Sequence, residues 1–454
     1  MTAEIAVLNK LAVTLAADSA VTIGVGGAQK VYNSADKIFE ITNHDPIGLM
    51  VYNNPEVQGI PIEVIAKRYR DTVCKNKSST VFKFSEDFLS HLENLSAPEN
   101  TIAENIVFSV TPLFEQIKMQ RADEFGRIVD ALRSLPEDAQ DFTPEKLAKV
   151  FLDADLKLVS SHIDRLSSST GHDWCVDISE DHVIAAHDAH INDAIKIVFD
   201  ETVFPDEVIK LLVRAGSLCL IHEYIPERLT GLVFAGFGED EIFPSLVSYE
   251  IYGVVAGKLK YKQTRKFDVD RALYPISTVL PFAQKEMVDR FIYGLDNQFL
   301  QLCVDFFEGS LNSLAERLEE SLQDLDGDTT GTIVGALGAA SAAIMDEFRD
   351  TLVPQHLKSS KEQLSDIIRS MPKQELAALS ESLVNITSLK RKFSADAESV
   401  GGPIDVAMIT RAEGFVWVKR KHFFEARLNP RYFHRRYGSA NQTVSNAYTE
   451  ETEA

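Results

Sequence analysis

TAEIAVLNKLAVTLAADS, residues 2–19, is the stretch on which the reading of this chain turns. Residues 3–9 and 11–17 are apolar runs of strand length, and Asn9-Lys10 between them fits a two-residue hairpin turn. If residue 8 then pairs with 11, counting outward sets residue 2 opposite residue 17. Directly opposed residues lie about 5 Å apart and diagonal ones about 7–8 Å. Thr2 and Asp18 are thereby expected to be neighbours for a purely local reason. A slip of one residue would turn the side chains to the opposite face, so the pattern predicts proximity rather than contact.

A terminal threonine carries its own base. Its hydroxyl is a weak nucleophile alone, but its α-amine has a reference pKa of about 7.7–8.0 and can take up the hydroxyl proton near neutral pH. The condition is removal of Met1, which methionine aminopeptidases perform when the second residue is small. Lys37 could complete such a site, since a neighbouring cation lowers the amine pKa and stabilises an ionising hydroxyl, while Asp18 would hold the lysine charged and oriented. The plainer reading of Lys37 is a lysine at a strand end.

Beyond the first hairpin, Gly24, Gly26 and Gly27 mark a loop, and residues 37–42 and 47–52 read as strands. Val57, Ile60, Val64 and Ile65 recur at helical spacing within 56–69. A mostly helical region runs from about 85 to 225. Strand patterns return at 229–237, 246–256, 257–264 and near 272–280, and helices dominate again from 283 to about 393. In the last of these Pro372 suits a first turn, and Leu376, Leu379, Leu383 and Ile386 share a face. Two closing strands are expected at 404–410 and 414–420, then a polar tail, residues 439–454, of disordered composition. The alternation of strand and helix blocks predicts sheets covered by helix layers, with the helical blocks 73–224 and 286–371 inserted into one domain, 1–438.

The chain has 454 residues, 45% hydrophobic and 25% charged, with a formal net charge of -22. So acidic a chain repels phosphate, which argues against nucleic acid and against anionic membranes as partners. Lys419, Arg420, Lys421, Arg427, Arg431, Arg435 and Arg436 run against that average; a solvated strand end or a contact with an acidic neighbouring subunit is expected of them. Cys74, Cys175, Cys219 and Cys303 form no CxxC pair, which disfavours a disulfide framework or structural zinc and fits a reducing cytoplasm. The N-terminal residues have no secretion-signal pattern, and the small apolar stretch 332–345 is too short to cross a bilayer.

Residues 2–19, followed by Ala35-Asp36-Lys37-Ile38-Phe39-Glu40-Ile41, resemble the opening of proteasome β subunits and of the related bacterial ATP-dependent ring peptidase. In that family the mature chain begins with threonine, an aspartate lies sixteen positions later as Asp18 does here, and the catalytic lysine opens a strand as Lys37 does, here three residues later than usual. Asp396 and Ser399 match the family's D-x-x-S pair, in which the serine supports the threonine amine, although Val400 adds a residue before Gly401-Gly402. The segment 404–410 and Gly414 resemble the strand that follows. The resemblance covers about 1–72, 225–285 and 372–425. It implies an α+β fold, a four-layer αββα sandwich of the N-terminal-nucleophile (Ntn) hydrolase type with two large helical insertions. It further implies a threonine peptidase that needs no cofactor, uses Thr2, Asp18, Lys37, Asp396 and Ser399, and acts on peptides or unfolded protein in the cytoplasm. A homo-oligomeric ring fed by an ATPase unfoldase is the assembly the family would lead one to expect.

Two departures weigh against activity. The serine-glycine run that supplies another hydroxyl is absent, leaving Ser277 or Thr278 as substitutes. The glycine that usually forms the oxyanion hole is missing around Val51-Tyr52-Asn53, although a backbone N–H stands there whatever the side chain and could keep the hole in a narrower, differently shaped pocket. An inactive proteasome-like scaffold, or an amidase for a small amide, are therefore the alternatives. Elsewhere, His182, His187, Asp188 and His190 could bind zinc but read better as structural histidines. Asp324, Asp326 and Asp328 lack the glycine and the closing glutamate of a calcium loop. Gly331, Gly335 and Gly338 are spaced for close helix packing. Gly24-Val25-Gly26-Gly27 lacks the ending of a phosphate loop.

Overall fold

The computed structural model describes residues 3–25, 28–75, 77–134, 143–168, 178–200, 202–222, 229–269, 277–294, 296–321, 327–393 and 401–437. The chain opens with three hairpins: β1 (Ala3–Leu8) with β2 (Ala12–Ala17), β3 (Val21–Val25) with β4 (Ala28–Tyr32), and β5 (Ile38–Glu40) with β6 (Ile47–Asn53). A short ladder of β7 (Glu56–Val57) and β8 (Ile60–Pro61) leads into helix α1 (Ile62–Arg68). Then come α2 (Val81–Glu93), α3 (Glu99–Arg133), α4 (Pro144–Ser168), α5 (Glu180–Phe199) and α6 (Asp206–Ile221). Strands β9 (Thr230–Gly236), β10 (Ser245–Val255), β11 (Lys258–Asp268) and β12 (Thr278–Ala283) follow. After α7 (Glu286–Tyr293), α8 (Asn297–Ser321), α9 (Gly327–Glu347), α10 (Val353–Arg369) and α11 (Lys373–Lys392), the chain closes with β13 (Asp405–Thr410), β14 (Gly414–Lys419) and α12 (Pro430–Tyr437).

The fold is α+β with antiparallel sheets. One five-stranded sheet has the order β12-β1-β2-β13-β14, the other β11-β10-β9-β6-β5. Strand alternation sorts the side chains of β1. Ala3, Ile5 and Val7 join Val288 of α7, Ile368 of α10 and Leu376, Leu383 and Val384 of α11 in one core. Ala6 and Leu8 point the other way, into a core shared with Met50, Val233 and Ala235 of the second sheet. The far face of that second sheet, through Leu49, Phe234 and Tyr249, packs on Ile65 of α1 and on Phe84 and Phe88 of α2. Helices α3 to α6 build a core of their own, centred on Phe114, Ile191 and Leu212, which Val255 at the tip of β10 also joins. The first helical block thus begins in effect at α3, since α2 is part of the sheet packing.

Four local expectations are revised. Glu4 pairs with Ala17 and Leu8 with Val13, two residues from the predicted register. The cause is Asn9, whose Oδ1 accepts from Leu11 N at 2.8 Å and Ala12 N at 3.3 Å, widening the turn beyond Asn9-Lys10. An even slip keeps every side chain on its face. Val57 and Ile60 lie in the β7–β8 ladder rather than on a helix, because Gln58 and Gly59 both take positive φ and turn the chain before α1. Around the glycine-rich segment the chain pairs as β3 with β4; Gly26 and Gly27 lie outside the described residues. A Cβ added at Gly331, Gly335 or Gly338 would meet nothing within 4 Å, so no close helix packing forms there. Asp324, Asp326 and residues 439–454 lie outside the described residues, and Asp328 belongs to α9.

Asn9 is fully buried. Its Nδ2 donates to the carbonyls of Ile368 and Met371, both at 3.0 Å, fastening the hairpin to the end of α10. Truncation removes these bonds and leaves buried polar groups unmatched, at about 1–3 kcal/mol per group. Asn9→Ala should therefore destabilise the protein by about 2–4 kcal/mol, read as a lower urea midpoint with an unchanged slope.

Candidate functional site

Asp18 leaves the end of β2 and is 1% exposed. Its Oδ1 accepts from Ala3 N at 3.0 Å and from Lys37 Nζ at 2.6 Å. Its Oδ2 accepts from Gly401 N at 2.9 Å and Ala20 N at 3.3 Å. One carboxylate thus joins four separate stretches of chain. Lys37 opens β5, where its carbonyl accepts from Val51 N at 2.8 Å. Its ammonium meets a second carboxylate, Glu4, at 3.2 Å, and Glu4 is fully buried. Ser19 braces the loop before β13: its N–H donates to Gly401 O at 3.2 Å, its Oγ donates to Pro403 O at 2.5 Å, and its carbonyl accepts from Ala35 N at 3.0 Å.

A buried ion pair gains strong attraction in a low dielectric but gives up hydration on both sides. Asp18 offsets that loss with three backbone N–H donors besides the ammonium. Removing either partner of such a pair costs about 3–5 kcal/mol, because the other charge is left buried.

Beside Lys37 lies a cleft of about 130 Å³, walled by Val21, Phe39, Val51, Pro55, Pro61 and Ile62, with Asp36, Asn53 and Glu63 also lining it. It is smaller than the roughly 300–1,000 Å³ of drug-sized ligand sites and suits a single side chain. Asp36 is paired with Lys421 at 3.1 Å, and Lys421 also binds Asp405. Lys421 is thus an internal cation, unlike the solvated strand end expected of the basic stretch. Two non-glycine residues near the site have left-handed backbones: Asn53 at φ 62°, and Ala283 at φ 55°, which pairs with Ala3. Asparagine tolerates that region better than other non-glycine residues; alanine there is strained. Backbone strain of this kind clusters at functional sites.

Of the residues singled out from sequence, Asp18 and Lys37 are brought together. Thr2, Asp396 and Ser399 lie outside the described residues. The chain reaches the site just beyond that pair, through the Gly401 N–H on Asp18. Ser277 and Thr278 are not site hydroxyls. In the β1–β12 register Thr278 lies opposite Leu8, at the far end of β1 from Ala3. Ser277 Oγ instead donates to Ser365 O at 2.5 Å in the interior. The residue missed from sequence is Glu4, while Asn53, in the segment where the oxyanion hole is expected, lines the cleft. Glu4 left a signal, as a carboxylate on the face of β1 that Ala6 and Leu8 turn toward the second sheet, where a charge needs a partner.

Within the histidine cluster, His187 has a structural role. His187, 6% exposed, accepts at Nε2 from Ala256 N at 2.9 Å, in the turn between β10 and β11. No group of three or more His, Cys, Asp or Glu among the described residues could hold a metal ion. No described helix is long and apolar enough to cross a membrane. Compared with protein-family models and with curated proteins, the chain finds no match.

Burial, and next the charge of His190, holds the His187 pKa below its ordinary 6.5. A lowered histidine pKa contributes stability that is present above the unfolded value and lost as pH falls through the folded one. Stability should therefore drop when urea unfolding is repeated at about pH 5.5 instead of about pH 7.5, and His187→Gln, which keeps an acceptor for Ala256, should lessen that drop.

Proposed function

We propose that the chain is a threonine-dependent amide hydrolase acting on peptides, with Thr2 as nucleophile after removal of Met1. One observation carries this reading: the Lys37 ammonium lies 2.6 Å from Asp18, whose same oxygen binds the N–H of Ala3, the residue following Thr2. A buried cation at the start of β1 stabilises no apolar core, but it suits a hydroxyl that must ionise next to an amine. The two sheets and their flanking helices fit a four-layer αββα sandwich of the Ntn-hydrolase type, with α3–α6 and α8–α9 as its insertions.

In this reading the Thr2 hydroxyl attacks the substrate carbonyl while its proton passes to the α-amine. Collapse of the tetrahedral adduct breaks the C–N bond, and the α-ammonium returns that proton to the departing amine. Water, deprotonated by the same amine, then attacks the threonyl ester; the acyl C–Oγ bond breaks, the α-ammonium returns the proton to Thr2 Oγ, and the carboxylic acid leaves. Lys37 stabilises the ionising hydroxyl and Asp18 holds Lys37. The backbone about Asn53, at the cleft beside Lys37, is our choice for oxyanion donor.

An inactive scaffold is the second reading, favoured by the distance of Ser277 and Thr278 from Ala3. Mass spectrometry of the intact protein separates the two. The hydrolase reading expects loss of Met1 and covalent addition of a threonine-directed β-lactone, absent in Thr2→Ala and slowed about 10²-fold or more in Lys37→Met. Retained Met1, or equal labelling of Thr2→Ala, defeats it. Because the cleft is mostly apolar and Asp36 is already paired, cleavage of a peptide library should favour an apolar residue on the acyl side of the cut bond, and a marked preference for acidic residues would contradict this role for the cleft.

A further inference from the structure

Lys37 is held between two buried carboxylates, although the ammonium–aspartate couple needs only one. Glu4 and Asp18 are both essentially unexposed, and Lys37 Nζ lies 3.2 Å from Glu4 and 2.6 Å from Asp18. Asp18 already accepts from three backbone N–H groups besides the ammonium. Glu4 therefore brings an extra negative charge to a site whose work depends on the acidity of amines. It stands on β1 two residues after Thr2, opposite Ala17 of β2 and Phe282 of β12, neither of which ionises. Among the described residues Tyr52 of β6 lies near enough to feel the Glu4 charge, and burial pushes its phenol well above the ordinary range; Arg265 of β11 lies over the ring of Phe282, the residue opposite Glu4.

We propose that Glu4 is a positioning residue of this site: together with Asp18 it fixes the Lys37 ammonium and, by its charge, sets the pH above which the site becomes active. The inference rests on the hydrolase reading above. A negative charge favours the protonated form of any nearby amine, so the base that accepts the hydroxyl proton is freed only at higher pH than it would be beside Lys37 and Asp18 alone. Glu4 does not touch the reacting atoms in this scheme; it acts through Lys37.

The test is the pH dependence of β-lactone labelling in the full chain, followed by intact mass. In Glu4→Gln the rising limb should move to lower pH by about one unit. Glu4→Ala should behave alike, and supplies the measurement if the glutamine variant fails to fold. Glu4→Asp, which keeps the charge, should restore the wild-type limb. A labelled, folded charge-removing variant whose limb coincides with that of the wild type overturns the assignment of Glu4 and leaves the hydrolase reading standing. Loss of labelling in both charge-removing variants, with folding intact by circular dichroism, also overturns it, since Glu4 would then be needed for more than tuning. A wild type that shows no Thr2-dependent labelling at any pH defeats the hydrolase reading, and this inference with it.

Discussion

The carboxylate of Asp18 is the constraint on which the local architecture depends. Its two oxygens hold the start of β1 through Ala3, the opening of β5 through Lys37, its own turn through Ala20, and the approach to β13 through Gly401. These stretches come from distant parts of the sequence, and two of them belong to different sheets. The hydrophobic cores between and outside the sheets determine that the layers stack. They are non-directional, however, and do not by themselves set which strand ends meet. A buried anion does, because each donor must arrive at hydrogen-bond distance or leave the charge uncompensated.

Buried ion pairs are poor stabilisers compared with well-packed apolar residues of the same volume. A sequence selected for stability alone would have little use for Glu4, Asp18 and Lys37 packed between two sheets that elsewhere meet through Ala6, Leu8, Val13, Leu15 and Val233. The charged cluster stands at one end of β1, beside the only strained alanine on that strand pair and next to a cleft of side-chain size. At the opposite end, Asn9 and Ser277 make hydrogen bonds to α10, and the chemistry there is ordinary packing. The two ends of one strand have been put to different uses.

Much of this could be read along the chain, and the misses have physical causes. The apolar runs of β1, β2, β9 and β13 were legible because both faces of these strands are buried. Asp18 and Lys37 were legible through spacing and resemblance. The register of the first hairpin was not, since it depends on the side chain of Asn9 reaching back to two N–H groups. Val57 and Ile60 mimicked helical periodicity because the positive-φ pair Gln58 and Gly59 folds them back onto the same core as Ile65. Ser277 and Thr278 were misread because strand direction, invisible in a local motif, decides which end of β12 faces the site.

Glu4 shows how pattern reading can pass over the most informative residue. In a list of apolar strand residues it looks like an ordinary solvent-facing charge. The packing of helices on one face of β1 and of the second sheet on the other removes that possibility, since a strand with both faces covered has no solvent side. Once Glu4 must point into the interface, the ammonium of Lys37 becomes its electrostatic requirement rather than a coincidence. The same requirement explains why Lys37 must enter from β5 of the opposite sheet: the residues flanking Glu4 across β1, Ala17 and Phe282, carry no charge, so compensation has to come across the gap between sheets. The cluster is thus a consequence of β1 being central, and any chemistry it performs is tied to that position.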